Sequence, residues 1–152
     1  MEKSLTNKSI IEIISAHNGT SLFNEEGVAV EYELLAKNIE KIGKQLSSID
    51  VKNNKICALV LPNGINMAIS FLALANYVTV SPLNPSYTRQ EFLFFLEDLD
   101  CDFIIADDSA SNALIDAAKL LKIKIFYLDS YSPENELLIK SVPTSSVSLP
   151  DQ

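Results

Sequence analysis

The sequence predicts an α/β fold, a mostly parallel sheet with flanking helices, over residues 51–128. Apolar, β-branched runs recur at Ile56–Leu61, Tyr77–Val80, Phe103–Ala106 and Ile123–Leu128. They are continuous rather than alternating, which suits strands buried on both faces. Segments with helical periodicity separate them, long enough to carry the crossover that a parallel pair needs. Right-handed connections follow as the expected topology.

The elements follow in chain order. Residues 1–19 read as a short amphipathic helix ending in a turn at Asn18-Gly19. Ser21–Phe23 and Val28–Val30 flank Asn24-Glu25-Glu26-Gly27, a hairpin signal. Tyr32, Leu35, Ile39, Ile42, Leu46 and Ile49 then fall three and four apart. That spacing makes one apolar stripe, a helix lying on a sheet. Glu33–Lys37 and Glu40–Lys44 are i,i+4 pairs on its wet side. Asp50–Lys55 is a polar turn, and Pro62 ends the first core strand because it lacks an N–H.

Asn63 is the expected N-cap of the next helix, which runs to Asn76. That helix is apolar nearly all round and is expected to be covered on most sides. After the strand Tyr77–Val80, Pro82 and Pro85 fix φ in a loop. Thr88-Arg89-Gln90-Glu91 is a capping box, followed by Phe92, Phe95, Leu96 and Leu99 as the inward face of a helix ending near Asp100. Asp108 or Ser109 is expected to cap the last long helix, with Ala113, Leu114, Ala117, Leu120 and Leu121 inward. Residues 1–130 are thus read as one α/β segment. Residues 131–152, with Pro133, Pro143, Pro150 and a serine-rich run, read as an irregular tail with one turn of helix at Glu134–Lys140.

Composition excludes some functions. The chain has 152 residues, 47% hydrophobic, enough to bury an ordinary core without staples. Its net charge of −8 and single arginine, Arg89, argue against nucleic acid and anionic membrane surfaces. The longest apolar stretch, Ile65–Val80, is too short to span a bilayer. The N-terminal residues lack the small-residue cleavage site of a secretory signal. A cytoplasmic protein is the expectation. Cys57 and Cys101 read as buried apolar groups of a reducing compartment, although sequence leaves a disulfide between them open. His17 is the only histidine, so no Cys/His metal site is expected.

Candidate chemistry is sparse. The turn Leu61-Pro62-Asn63-Gly64 has one glycine where a dinucleotide turn needs several. No Gly-x-x-x-x-Gly-Lys run exists. Asp107-Asp108 stand at the carboxyl end of a strand, where a divalent-metal acid pair would lie, but helix capping explains them more simply. His17 reads as a surface residue near a helix end, without an orienting partner or nucleophile. Asn84 is expected to bond local backbone, Tyr87 to cover the sheet edge and Thr88 to cap its helix. Arg89 is unfavourable in a first helical turn unless it pairs with Glu26, Asp98 or a partner surface. Phe92, Phe94 and Phe95 read as core rather than ligand contacts.

Several of these motifs together resemble the N-terminal third of the adenylate-forming acyl-CoA synthetases and ligases, especially the coumarate–CoA ligase branch. The resemblance covers Leu22–Leu128. It is carried by Glu31-Tyr32-Glu33-Leu34-Leu35, by a strand ending in Leu61-Pro62-Asn63 and by Phe71-Leu72-Ala73-Leu74. Pro82-Leu83-Asn84-Pro85-Ser86-Tyr87-Thr88 then follows, with Glu91 at the family offset. Two places depart from the pattern. Asn76-Tyr77-Val78 stand where Gly-Ala is usual, and Leu34 replaces a common acidic residue. The resemblance implies ATP, Mg²⁺ and CoA for the family's reaction, and a carboxylate activated as its acyl adenylate, the mixed anhydride with AMP, before thioester formation. It also implies that the phosphate loop, the nucleotide-binding residues and the catalytic lysine lie further along such chains, with Ser145–Gln152 as the approach to that loop. No catalytic, cofactor-binding or metal residue is therefore expected here. The alternative is a stand-alone α/β interaction module without the enzyme. The expected partner is the remainder of a synthetase, and self-association through exposed apolar surface is a further expectation.

Overall fold

A computed structural model describes residues 8–24, 26–49, 51, 54–129 and 139–140. Helix α1 (Ile10–Ser15) opens the fold, followed by the antiparallel hairpin β1 (Thr20–Phe23) and β2 (Ala29–Glu31) and the long helix α2 (Tyr32–Ser48). The strands β3 (Ile56–Val60), β4 (Thr79–Pro82), β5 (Phe103–Ala106), β6 (Lys124–Leu128) and β7 (Ile139–Lys140) alternate with α3 (Ile65–Ala75), α4 (Arg89–Asp98) and α5 (Asn112–Leu121) up to β6. The five strands form one sheet in the order β4-β3-β5-β6-β7. The β3–β4, β3–β5 and β5–β6 pairings are parallel, and β7 runs antiparallel to β6.

The continuous apolar runs are explained by two cores, one on each face of the sheet. Cys57, Leu59, Phe103 and Ile105 point into the core shared with α2 and α3. Ala58, Val60, Ile104 and Ala106 point into the core shared with α4 and α5. Alternate residues of β3 and β5 thus serve opposite layers, so no position in the middle of either strand meets water. Cys57 and Cys101 fall in these two different cores and are free thiols, and burial pushes both thiols up.

Most elements lie where the periodicity places them, and the differences have local causes. The N-cap of α3 is Gly64 rather than Asn63, with φ +147 and no side-chain cap bond. The backbone turns through a conformation that favours glycine, one residue later than the polar side chain suggested. Helix α3 is also more open than its composition implies, since Phe71 is 37% exposed. The second strand begins at Thr79, two residues later than Tyr77, and includes Pro82. Proline is tolerated there because β4 is an edge strand. Thr79 and Leu83 N–H donate to Lys55 and Leu59 carbonyls, so the nitrogen of Pro82 faces the open side.

The cap of α5 is Ser111, whose Oγ accepts the Leu114 N–H, not Asp108 or Ser109. Asp107 closes a turn upstream by accepting the Ser109 N–H at 2.9 Å, which delays the helix. Leu120, expected inward, is 55% exposed. Ile139–Lys140 form a strand rather than part of a helical turn, and Ile139 N–H donates to Gln45 Oε1 at 3.0 Å. The remainder of the predicted turn at Glu134–Lys140, and Ser145–Gln152, lie outside the described residues.

Tyr77 sits in the turn between α3 and β4, and its ring lies on Gly43 of α2. A Cβ added at Gly43 would stand 2.5 Å from the Tyr77 hydroxyl oxygen. Gly43→Ala is therefore expected to lower stability by about 1–3 kcal/mol through overpacking. In the Tyr77→Ala background the same substitution should cost little. Urea denaturation of the four proteins of that double-mutant cycle measures this, and strictly additive losses would refute the contact.

Candidate functional site

Parallel sheets place ligands where connections leave the carboxyl ends of neighbouring strands in opposite directions. Here that point lies between β3 and β5, because the chain goes from β3 through α3 to β4 on one side while β5 flanks β3 on the other. A crevice of about 290 Å³ opens there. Pro62, Asn63 and Gly64 line it from the β3–α3 turn, Asp107 from the end of β5, and Asn24 and Glu26 from the hairpin tip.

Two side chains in the crevice have structural tasks. Asn24 Oδ1 accepts the Glu26 and Val28 N–H groups and shapes the hairpin turn. Asp107 is bonded to Ser109 through both its backbone and its hydroxyl. Among the described residues the crevice is lined by two carboxylates and amides, with no cationic side chain, histidine, cysteine or hydroxyl. It offers hydrogen bonds and acidity, without the cations that a polyphosphate requires.

The other sequence candidates lie elsewhere and do not converge. Asp108 and Asp129 stand at the ends of β5 and β6, and Lys140 of β7 pairs with both, at 4.0 Å from Asp108. Those charges hold the last strand in place, and the Asp129 carboxylate raises the Lys140 ammonium above its ordinary value. Among the described residues no group of three His, Cys, Asp or Glu side chains is placed to hold a metal ion. His17 Nδ1 lies 2.7 Å from the Ile13 carbonyl, and its ring packs on Tyr32 at 5.3 Å.

Asn84 accepts the Ser86 N–H at 2.9 Å, the expected local turn. Thr88 and Glu91 close the expected capping box in both directions, which lowers the Glu91 carboxyl. Tyr87 packs on the core beside Ala58, Val60 and Leu83, stacking on Phe95 at 4.9 Å and meeting Phe92 edge-on at 5.7 Å. Arg89 is exposed and forms no ion pair with Glu26 or Asp98 among the described residues. The contribution of the hairpin to the crevice carried no local signal. It depends on the strand order, which brings residues about forty positions apart together.

Comparison with known proteins places the chain in a family. The profile of the AMP-binding enzyme family matches residues 14–151. The oxalate–CoA ligase of Arabidopsis thaliana is 30% identical over 111 residues, 72% of this chain and 22% of that protein. The probable CoA ligase CCL9 of Humulus lupulus is 29% identical over 122 residues, 77% of this chain and 23% of its own length. Apo MatB from Rhodopseudomonas palustris shares the fold, with a TM-score of 0.68 at 15% identity over 79% of this chain and 25% of its own. The luciferase-like enzyme of the Zophobas morio mealworm does so with a TM-score of 0.72 at 12% identity, over 90% of this chain and 34% of its own. This chain thus spans about a quarter of the length of the curated relatives it matches. With the parallel sheet and the profile agreeing over nearly all of its length, the chain belongs to the AMP-binding, adenylate-forming enzyme family, with CoA ligases among its relatives.

Proposed function

We propose that these residues are the scaffold of the large domain of an ATP-dependent acyl-CoA ligase, and that they do not carry its chemistry. In that reaction a carboxylate attacks the α-phosphate of ATP, with Mg²⁺, to release pyrophosphate and form an acyl adenylate. The CoA thiol then attacks the acyl carbon and releases AMP. Residues 1–130 supply sheet and helices, and 131–152 lead toward the phosphate loop, with β7 as their contribution to the sheet. The reading assigns no catalytic, cofactor-binding or metal residue to this chain, and it places the parent enzyme in the cytoplasm.

The observation that carries the reading is the crevice between β3 and β5. It occupies the ligand position of an α/β sheet, its described polar lining is carboxylate, amide and backbone, and Asn24 and Asp107 are already engaged in turns. The purified 152-residue chain is expected to show no carboxylate-dependent exchange of labelled pyrophosphate into ATP. Turnover above the buffer rate would overturn the proposal. Phe23, Phe94, Leu120 and Ile13 are 67, 62, 55 and 48% exposed, which supports docking onto further polypeptide or self-association. Light scattering of the same sample should accordingly give a mass that rises with concentration.

A further inference from the structure

We propose that α1 is a detachable lid over an apolar cavity, latched by the side chain of Asn76. The cavity measures about 490 Å³ and lies between α1, β1, α2 and α3. Ile13, Ile14, Leu22, Leu35 and Leu72 form its walls. Helix α1 is six residues long, far below the length at which a helix holds itself in water. Its own capping box, Ser9 with Glu12, ties it only to itself.

Besides the packing of Ile10, Ile11 and Ile14 on the core, two polar or ring contacts among the described residues tie it to the body. Asn76, the C-cap of α3, accepts the Ile11 N–H at 3.1 Å across 65 positions of sequence. That N–H is one of the donors that a helix start leaves unpaired, so the bond meets a need that nothing within α1 fills. At the other end the His17 ring packs on Tyr32. Between these ends Ile14 is buried and Ile10 and Ile11 pack against the core, but Ile13 is half exposed and lines the cavity. The centre of the sheet is different: Ala58, Leu59, Ile104 and Ile105 are each 0% exposed, with a core on either face. A six-residue helix beside a cavity, held by three apolar side chains and, among the described residues, one long-range hydrogen bond, opens at lower free energy than that centre. Its release uncovers the Leu35 and Leu72 walls while β3 to β6 remain paired.

Hydrogen exchange by mass spectrometry on the 152-residue chain tests this. In the wild type, amides of residues 9–17 are expected to exchange at least tenfold faster than those of 56–60 and 103–106. Asn76→Ala should speed exchange in 9–17 at least fivefold more and leave the β3 and β5 amides unchanged. Asn76→Asp, which keeps an acceptor oxygen, should stay within about twofold of wild type. The lid is refuted if α1 and β3 amides exchange at one common rate, or if Asn76→Ala leaves α1 unaffected. Loss of the whole fold in Asn76→Ala would refute it equally, because a latch carries only local stability.

Discussion

Phe92→Ala is expected to lower unfolding free energy by about 3–5 kcal/mol, the largest effect of any single truncation argued here. Phe92 is the first inward residue of α4 and is 0% exposed. Its ring meets Tyr87 edge-on at 5.7 Å and packs in the core that Ala58, Val60, Ile104 and Ala106 form beneath α4 and α5. The capping box of Thr88 and Glu91 fixes the first turn of α4, so the backbone is not free to move inward and fill the void. The loss thus combines the transfer term of an aromatic ring with a cavity term. Urea denaturation followed by far-UV circular dichroism measures it. Phe94→Ala, at a 62% exposed position of the same helix, is the control and should change stability by less than about 0.5 kcal/mol. Similar losses at the two positions would mean that α4 packs through a different face.

The legible parts of this chain are those where local pattern and global fold agree. Tyr32 to Ile49 gives one apolar stripe, and its Leu35, Ile39, Ile42 and Leu46 are all buried. Phe103–Ala106 is bounded correctly at both ends, because a run buried on both faces has no other place in the fold. Thr88 and Glu91 identify each other at a fixed spacing and form the bonds that the spacing implies. What stayed hidden depends on contacts between distant residues. Gly64 caps α3 by a backbone angle that no side chain announces. Ile139–Lys140 becomes a strand because Tyr127 and Leu128 offer an unpaired edge and Gln45 an acceptor.

The two residues that depart from the family pattern at the end of α3 are a further instance. Asn76 and Tyr77 look like an unexplained change in sequence, yet one binds α1 and the other fills the space over Gly43. The crevice at the β3–β5 switch was invisible for the same reason. Its position follows from strand order, and strand order is not a local property.

Asp102→Ala is expected to cost about 1–2 kcal/mol at neutral pH, through the entry of the two central strands. One carboxylate oxygen of Asp102 accepts from Lys55 Nζ at 2.6 Å and the other from the Ile56 N–H at 2.8 Å, while the Asp102 N–H donates to the Ile56 carbonyl at 2.9 Å. The residue therefore fixes the register of β3 against β5 at the end where both strands begin. Its side chain is 29% exposed and that of Lys55 is 41% exposed, so solvent screens the ion pair and the full strength of a buried pair does not apply. The Lys55 hydrogen bond, chiefly, holds the Asp102 carboxyl below its ordinary value.

A carboxyl lowered in the folded state stabilises the protein above its unfolded pKa of about 3.9, and that contribution disappears as pH falls through the folded pKa. The stability difference between wild type and Asp102→Asn should thus stay level from about pH 8 to 5 and shrink below about pH 4. Asp102→Asn keeps an acceptor for the Ile56 N–H and should lose less than Asp102→Ala, which separates the charge from the backbone bond. A difference that grows on acidification would have the wrong sign for a lowered carboxyl. It would remove Asp102 from the set of groups that pin the sheet.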